Sequence, residues 1–292
     1  MIIRERPSAL RLFFLWRGSI VPRIWRALLG VAVLSALVVA MRRGQPQLVP
    51  AMGSQPFALL GIALSVFLSF RNNACYDRWW EGRRLWGQII QTARDIARQT
   101  AVLPPAARRA ILEGVVDFAQ AAVLRLRRIT LEQARGQFGA RSRAPDEILT
   151  EITLRIAEAL RAGDLLAVEA HGLNEGVTRL SQALVGCERL ANTPLPFAYT
   201  LLLQRTAYVF CFLLPFGFAD SLGWFTPLGT AVVAYTFFGL DALGEELEEP
   251  FGTMPNDLPI AAYATMIEIT LKQALGDTDL PPMPEPQGYV LA

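Results

Sequence analysis

The sequence predicts an all-α integral membrane protein with four transmembrane helices and a cytoplasmic helical bundle. Three observations carry that prediction. Of the 292 residues, 52% are hydrophobic and 18% charged, where an ordinary soluble domain carries about 25% charged residues. The apolar residues gather into four nearly charge-free stretches arranged as two pairs. Between the pairs lies a long section with helical periodicity and helix start signals.

The same composition removes several classes of function. The apolar content excludes a disordered chain, and Cys75, Cys187 and Cys211 are too few and too far apart to staple a protein this long. His171 is the only histidine, which excludes a multi-histidine metal site and a Ser/His/Asp triad built on any other histidine. Net charge is +2 and Lys272 is the only lysine. The arginines are interspersed with acids, so no nucleic-acid footprint emerges. Mean hydropathy is +0.31, modest for a chain made only of spans, so part of the protein lies outside the bilayer.

Residues 1–23 read as a cytoplasmic N-terminal segment. The first transmembrane hairpin covers residues 24–70. Ala27 to Met41 holds no charge and covers about 22 Å at about 1.5 Å per helical residue. Ile24 and Trp25 bring it close to the ~20 residues that a span requires. The second segment, Pro56 to Phe70, is equally short, which suits a helix shielded from lipid by others. A second hairpin covers residues 194–243. Its first helix follows Pro194 and Pro196, its second starts at Trp224 and contains Asp241 near its end, and Asp220 to Gly223 makes the tight connection.

Arginine placement gives the orientation. Arg4, Arg6, Arg11, Arg17, Arg23 and Arg26 precede the first segment and Arg71, Arg78, Arg83 and Arg84 follow the second, outnumbering Arg42 and Arg43 in the connection between them. Both termini and the middle section are therefore expected in the cytoplasm of a multi-pass protein of the cytoplasmic (inner) membrane. The first apolar run leads to arginines and three more spans in place of a small-residue cleavage site, which argues against a cleaved signal peptide.

Residues 71–193 read as a cytoplasmic helical region. Pro104 and Pro105 start one helix; Pro145 with Asp146 and Glu147 starts another, which Gly163 can stop. Leu149, Ile152, Ile156 and Leu160 form one apolar stripe, and Leu173, Val177, Leu180, Leu184 and Cys187 form a heptad-like seam. Residues 244–292 complete the chain as a cytoplasmic C-terminal segment with a proline-rich tail, expected to be extended or loosely attached.

Within the second segment Ile62, Val66 and Phe70 are four apart and stack on one helix face, beside a face of Gly61, Ser65 and Ser69. A ring of such helices could make an apolar constriction, although ordinary core or lipid contact gives the same spacing. The stretch that follows is more specific: Phe70-Arg71-Asn72-Asn73-Ala74-Cys75-Tyr76-Asp77-Arg78-Trp79-Trp80-Glu81-Gly82-Arg83-Arg84-Leu85-Trp86-Gly87. It resembles the bestrophin family, whose hallmark is Phe-Arg-Asn-Asn leading to Tyr, Arg-Trp-Trp-Glu and Trp-Gly at this spacing. Pro194-Leu195-Pro196-Phe197-Ala198-Tyr199 and Glu248-Glu249-Pro250-Phe251-Gly252 agree with it.

The resemblance implies a homopentameric ion channel with a central pore lined by five copies of the second span. Its apolar neck falls on Ile62, Val66 and Phe70, and a cytoplasmic aperture falls on Leu195. Chloride and other anions are implied as permeant ions. The neck has no charged ring to choose a sign, so monovalent cations stand beside them. Animal bestrophins carry a calcium clasp directly after the Pro-Phe-Gly. Here that run reads Thr253-Met254-Pro255-Asn256-Asp257, with Asp257 the lone carboxylate remnant. Six to eight oxygens are wanted, which argues against calcium regulation and leaves no expected cofactor.

Other charged and aromatic residues have plainer readings. Glu245, Glu246, Glu248 and Glu249 read as a solvated or salt-bridged helix end, and Trp79, Trp80 and Trp86 as interface anchors and packing. Asp77 and Glu81 share a face but adjoin Arg78, Arg83 and Arg84, so a salt-bridged surface is expected. Arg205 reads as a snorkelling or paired residue. With no acid/base pair or nucleophile, no enzyme is expected. The expected partners are further copies of the chain, membrane lipid and permeant ions. Two alternatives remain: a membrane-anchored helical scaffold, and a secondary transporter, the latter disfavoured because the spans lack buried acids.

Overall fold

The computed structural model describes residues 1–3, 18–48, 52–129 and 143–291, so Arg4, Arg6, Arg11 and Arg17 of the orientation argument lie outside the described residues. The described residues form eight α-helices: α1 (Val21–Gly44), α2 (Gln55–Gln99), α3 (Pro105–Leu126), α4 (Pro145–Ala162), α5 (Ala167–Asn192), α6 (Phe197–Leu222), α7 (Thr226–Glu248) and α8 (Ile260–Leu275). Among these residues there is no strand beyond isolated bridges that join Ile2 and Gln287 to Val290. Three helical stretches are long and apolar enough to cross a membrane: Val21–Gly44, Gln55–Val102 and Phe197–Glu248. The third contains the turn Gly223–Phe225 that separates α6 from α7.

The chain divides into two compact units. One takes in Glu5–Arg78 and Pro194–Glu248, the other Met1–Arg4, Trp79–Thr193 and Glu249–Ala292. The division falls within α2, two turns beyond Phe70.

In the first unit α1, α6 and α7 pack on one another. Their core joins Ile24 and Val31 of α1 and Leu64 and Leu68 of α2 to Phe210, Phe237 and Phe238. Small residues let the backbones approach: a Cβ on Gly217 would lie 2.5 Å from the Phe57 ring, and one on Gly61 would lie 3.1 Å from Phe210. Where α1 meets α7, the buried hydroxyls of Ser35 and Thr230 are 2.7 Å apart. At the α6–α7 turn, Gly223 adopts φ +53°, a left-handed conformation that glycine accepts without strain. Arg42 pairs with Asp220 at 2.8 Å.

The second unit packs α3 against α4 and α8, and α4 against α5. Its core includes Trp86, Ile89, Phe118, Ile152, Leu180, Tyr263 and Ile267. Pro105 and Pro145 begin their helices, and Gly163 ends α4 at φ +83° with its N–H bonded to the Leu160 carbonyl. Leu149, Ile152 and Ile156 are buried, as are Leu173, Val177, Leu180, Leu184 and Cys187. Leu160 departs from the expected stripe: it is exposed, and Ala159 takes the inward position in the last turn. The proline-rich tail is not simply loose, because the Ile3 N–H donates to the Tyr289 carbonyl at 2.8 Å.

Candidate functional site

The buried positions of α2 trace one stripe. Phe57, Leu64, Leu68, Arg71 and Cys75 face the core of the first unit, at spacings that follow the 3.6-residue period. The opposite side carries Ile62, Val66 and Phe70, exposed at 65%, 47% and 61%. Of the small face beside them, Gly61 packs on Phe210, whereas Ser65 and Ser69 are exposed. Asn73 and Asp77 are exposed as well. This side of α2 therefore runs from bulky apolar residues to polar ones without a break in the helix.

Directly after Phe70, the chain buries a charge. The Arg71 side chain has no solvent exposure; its Nη1 donates to Asp241 Oδ1 at 2.6 Å, and its Nη2 lies 3.7 Å from Glu248 Oε2. Neither Nε nor Nη2 has a hydrogen-bond acceptor among the described residues. The pair joins α2 to α7, and the approach there is tight: a Cβ on Gly244 would sit 2.7 Å from Asn72 Oδ1 and 3.3 Å from Arg71 Nη1. Glu248 has two further bonds. Its Oε1 accepts the Leu195 N–H at 3.0 Å, and its backbone carbonyl accepts Arg78 Nε at 3.0 Å.

These contacts bear on two sequence expectations. Glu248 belongs to a salt-bridged helix end, one of the two readings given for it, and it also holds the residue before Pro196. Asp241, 6% exposed, is a buried acid near the end of α7, in an apolar stretch where no buried acid was expected. Sequence reasoning missed this cluster, although an aspartate inside an apolar segment is itself a signal, because such a residue needs a partner.

The remaining hallmark residues divide between surface and core. Tyr76 and Trp80 are exposed. Trp79 stacks on Trp80 at 6.5 Å and donates from Nε1 to the Asn256 carbonyl at 3.0 Å. Trp86 is not an interface anchor: it is fully buried, 6.2 Å from the Tyr263 ring, because it falls on the inward stripe of α2. Gly82 leaves room for Phe251, whose ring would lie 3.1 Å from a Cβ there, so two stretches that carried the resemblance meet. Glu81 pairs with Arg189 rather than with a neighbouring arginine of α2. At Gly87 a Cβ would approach only Arg83 Nη1, at 3.4 Å.

Asp257 is 2% exposed, and its Oδ2 accepts the Met254 N–H at 2.6 Å, so this carboxylate closes its own turn. Among the described residues no three His, Cys, Asp or Glu side chains gather as metal ligands would. A lone carboxylate already bonded to backbone does not fit a calcium clasp, which takes six to eight oxygens.

Comparison with known proteins gives a consistent answer. A family model described as bacterial/fungal bestrophin protein matches residues 1–273. A voltage-dependent anion channel-forming protein of Mesorhizobium japonicum is 44% identical over 299 residues, covering 99% of this chain and 97% of that protein. A protein of the same description from Escherichia coli K12 is 37% identical, with 96% of each chain covered. The crystal structure of a bacterial bestrophin homolog from Klebsiella pneumoniae superposes with TM-score 0.79 at 38% identity, covering 87% of this chain and 99% of that one. Together with the long apolar helices, these likenesses make the protein an integral membrane protein and not an enzyme. The chain belongs to the bacterial/fungal bestrophin family of ion channels.

Proposed function

We propose that copies of this chain assemble, as a homopentamer, into a channel for small ions, with α2 lining the pore and Ile62, Val66 and Phe70 forming its neck. One observation carries the reading: three bulky apolar side chains stay exposed on a face of α2 that continues directly into Asn73 and Asp77. A face meant only for lipid has no use for a carboxylate two turns beyond its last aromatic, whereas a face that meets water at one end does. The uncharged neck selects by width and by resistance to wetting and leaves the sign of the ion to charges beyond it; likeness to the relatives supports anions, and monovalent cations stand beside them.

In this reading α1, α2, α6 and α7 span the inner membrane, with both termini and the second unit in the cytoplasm. Leu195 forms a second constriction, held by its bond to Glu248. Calcium has no part in opening, since Asp257 is engaged within its own turn. Ion flux into liposomes tests the neck. Phe70→Ala and Val66→Ala should each raise the flux of the reconstituted protein, and variants that fold and conduct like the parent would place the constriction elsewhere.

A further inference from the structure

Asp77 lies seven residues beyond Phe70 and eleven beyond Val66. At 100° per residue it points midway between the two, about 10.5 Å further along the axis. It is exposed, and among the described residues it enters no ion pair. The arginines around it on the helix are turned away or out of reach. Arg71 is buried on Asp241 and Arg78 reaches the Glu248 carbonyl, both about 100° or more around the helix. Arg83 stacks over the Tyr263 ring at 5.1 Å. Arg84 shares the face of Asp77 but lies about 10.5 Å beyond it, close to a Debye length at physiological salt.

We propose that Asp77 sets the charge preference of the channel: repeated in each subunit, it forms a carboxylate ring at the inner mouth of the neck that enriches cations and depletes anions. This rests on the pore reading above and adds to it the element that chooses sign. The apolar neck fixes what fits, and Asp77 is the first charge an ion meets on leaving it. A change of one kT in potential at this ring alters the local anion-to-cation ratio by about sevenfold, the square of e, and clefts lined by one sign of charge reach several kT.

Reversal potentials in planar bilayers under a potassium chloride gradient test the proposal, with wild type, Asp77→Asn, Asp77→Lys and Phe70→Ala compared. Asp77→Asn should raise the chloride-to-potassium permeability ratio about sevenfold for each kT removed, Asp77→Lys should raise it further, and both shifts should shrink at 1 M salt, where the Debye length is about 3 Å. Conducting Asp77 variants with the wild-type reversal potential, or a shift indifferent to ionic strength, overturn the proposal. Phe70→Ala separates the two readings. Raised conductance with unmoved Asp77 variants defeats only the selectivity claim, while unchanged conductance with shifted Asp77 variants supports the ring and defeats the position of the neck. Protein that conducts in no variant overturns both.

Discussion

Asp241→Asn removes the closest partner of a guanidinium that has no access to water. The Arg71 Nη1 to Asp241 Oδ1 distance is 2.6 Å, and the next anion, Glu248, stands at 3.7 Å. At an effective dielectric of about 20 the gross attractions are about 6 and about 4.5 kcal/mol, so the second carboxylate retains much of the stabilisation when the first is neutralised. Removing one member of a buried pair costs about 3–5 kcal/mol; the remaining Glu248 puts Asp241→Asn near about 3, while Arg71→Met, which leaves two carboxylates without their shared cation, falls near about 5. At about 2 °C per kcal/mol for a chain of this size, thermal unfolding in detergent, followed by loss of helicity, should drop by about 6 °C and about 10 °C. The double variant Arg71→Met/Asp241→Leu should recover most of the loss, because a well-packed apolar pair replaces an ion pair with little penalty. Single variants that melt within about 2 °C of the parent, or a double variant no better than the worse single one, would refute the assignment of this pair as the joint between α2 and α7.

Three other outcomes follow from the same structure. Gly244→Ala forces a methyl group to 2.7 Å from Asn72 Oδ1, so it should lower the melting temperature through the same joint while Gly276→Ala, exposed to open space but at φ +80°, reports only backbone strain. Burial pushes the Cys187 thiol up to about 12, so it should not react with a maleimide at pH 8 until the protein is denatured, which mass spectrometry of labelled peptides will show. Hydrogen bonding from Arg109 holds the Asp277 carboxyl below its ordinary range. That pair therefore stabilises the fold above the ordinary carboxylate pKa, and the contribution is lost as pH falls through the lower folded value; Asp277→Asn should remove this part of the acid sensitivity of unfolding.

Much of the fold was legible because it depends on local signals. Prolines at the starts of α3 and α4, the left-handed Gly163 and the spacing of Leu173, Val177 and Leu180 are written in neighbouring residues. The exposed stripe of Ile62, Val66 and Phe70 was legible for the same reason: one helix carries it. What could not be read was pairing across distance. Arg71 and Asp241 are 170 positions apart, and nothing local distinguishes an arginine that flanks a span from one that is buried beside it. For Trp86 the sequence left anchoring and packing side by side, because an indole near a membrane end and an indole in a helical core have the same sequence neighbourhood. Asp77 was misread for the opposite reason: adjacency in sequence suggested partners that helical geometry turns to another side or sets two turns away.

Around Phe70 the inward stripe of α2 is seated in the core of the first unit, by Leu64 and Leu68 on one side and by the buried pair of Arg71 with Asp241 on the other. Such a rod is torsionally clamped. Any twist about its own axis that swung Phe70 aside would also have to unseat the buried Leu68 and Arg71. Side-chain rotation at Phe70 needs neither, since its ring is 61% exposed and rotamer changes of exposed residues take picoseconds to nanoseconds. Widening of the proposed neck at Phe70 is therefore expected to come from a change of rotamer on a fixed backbone.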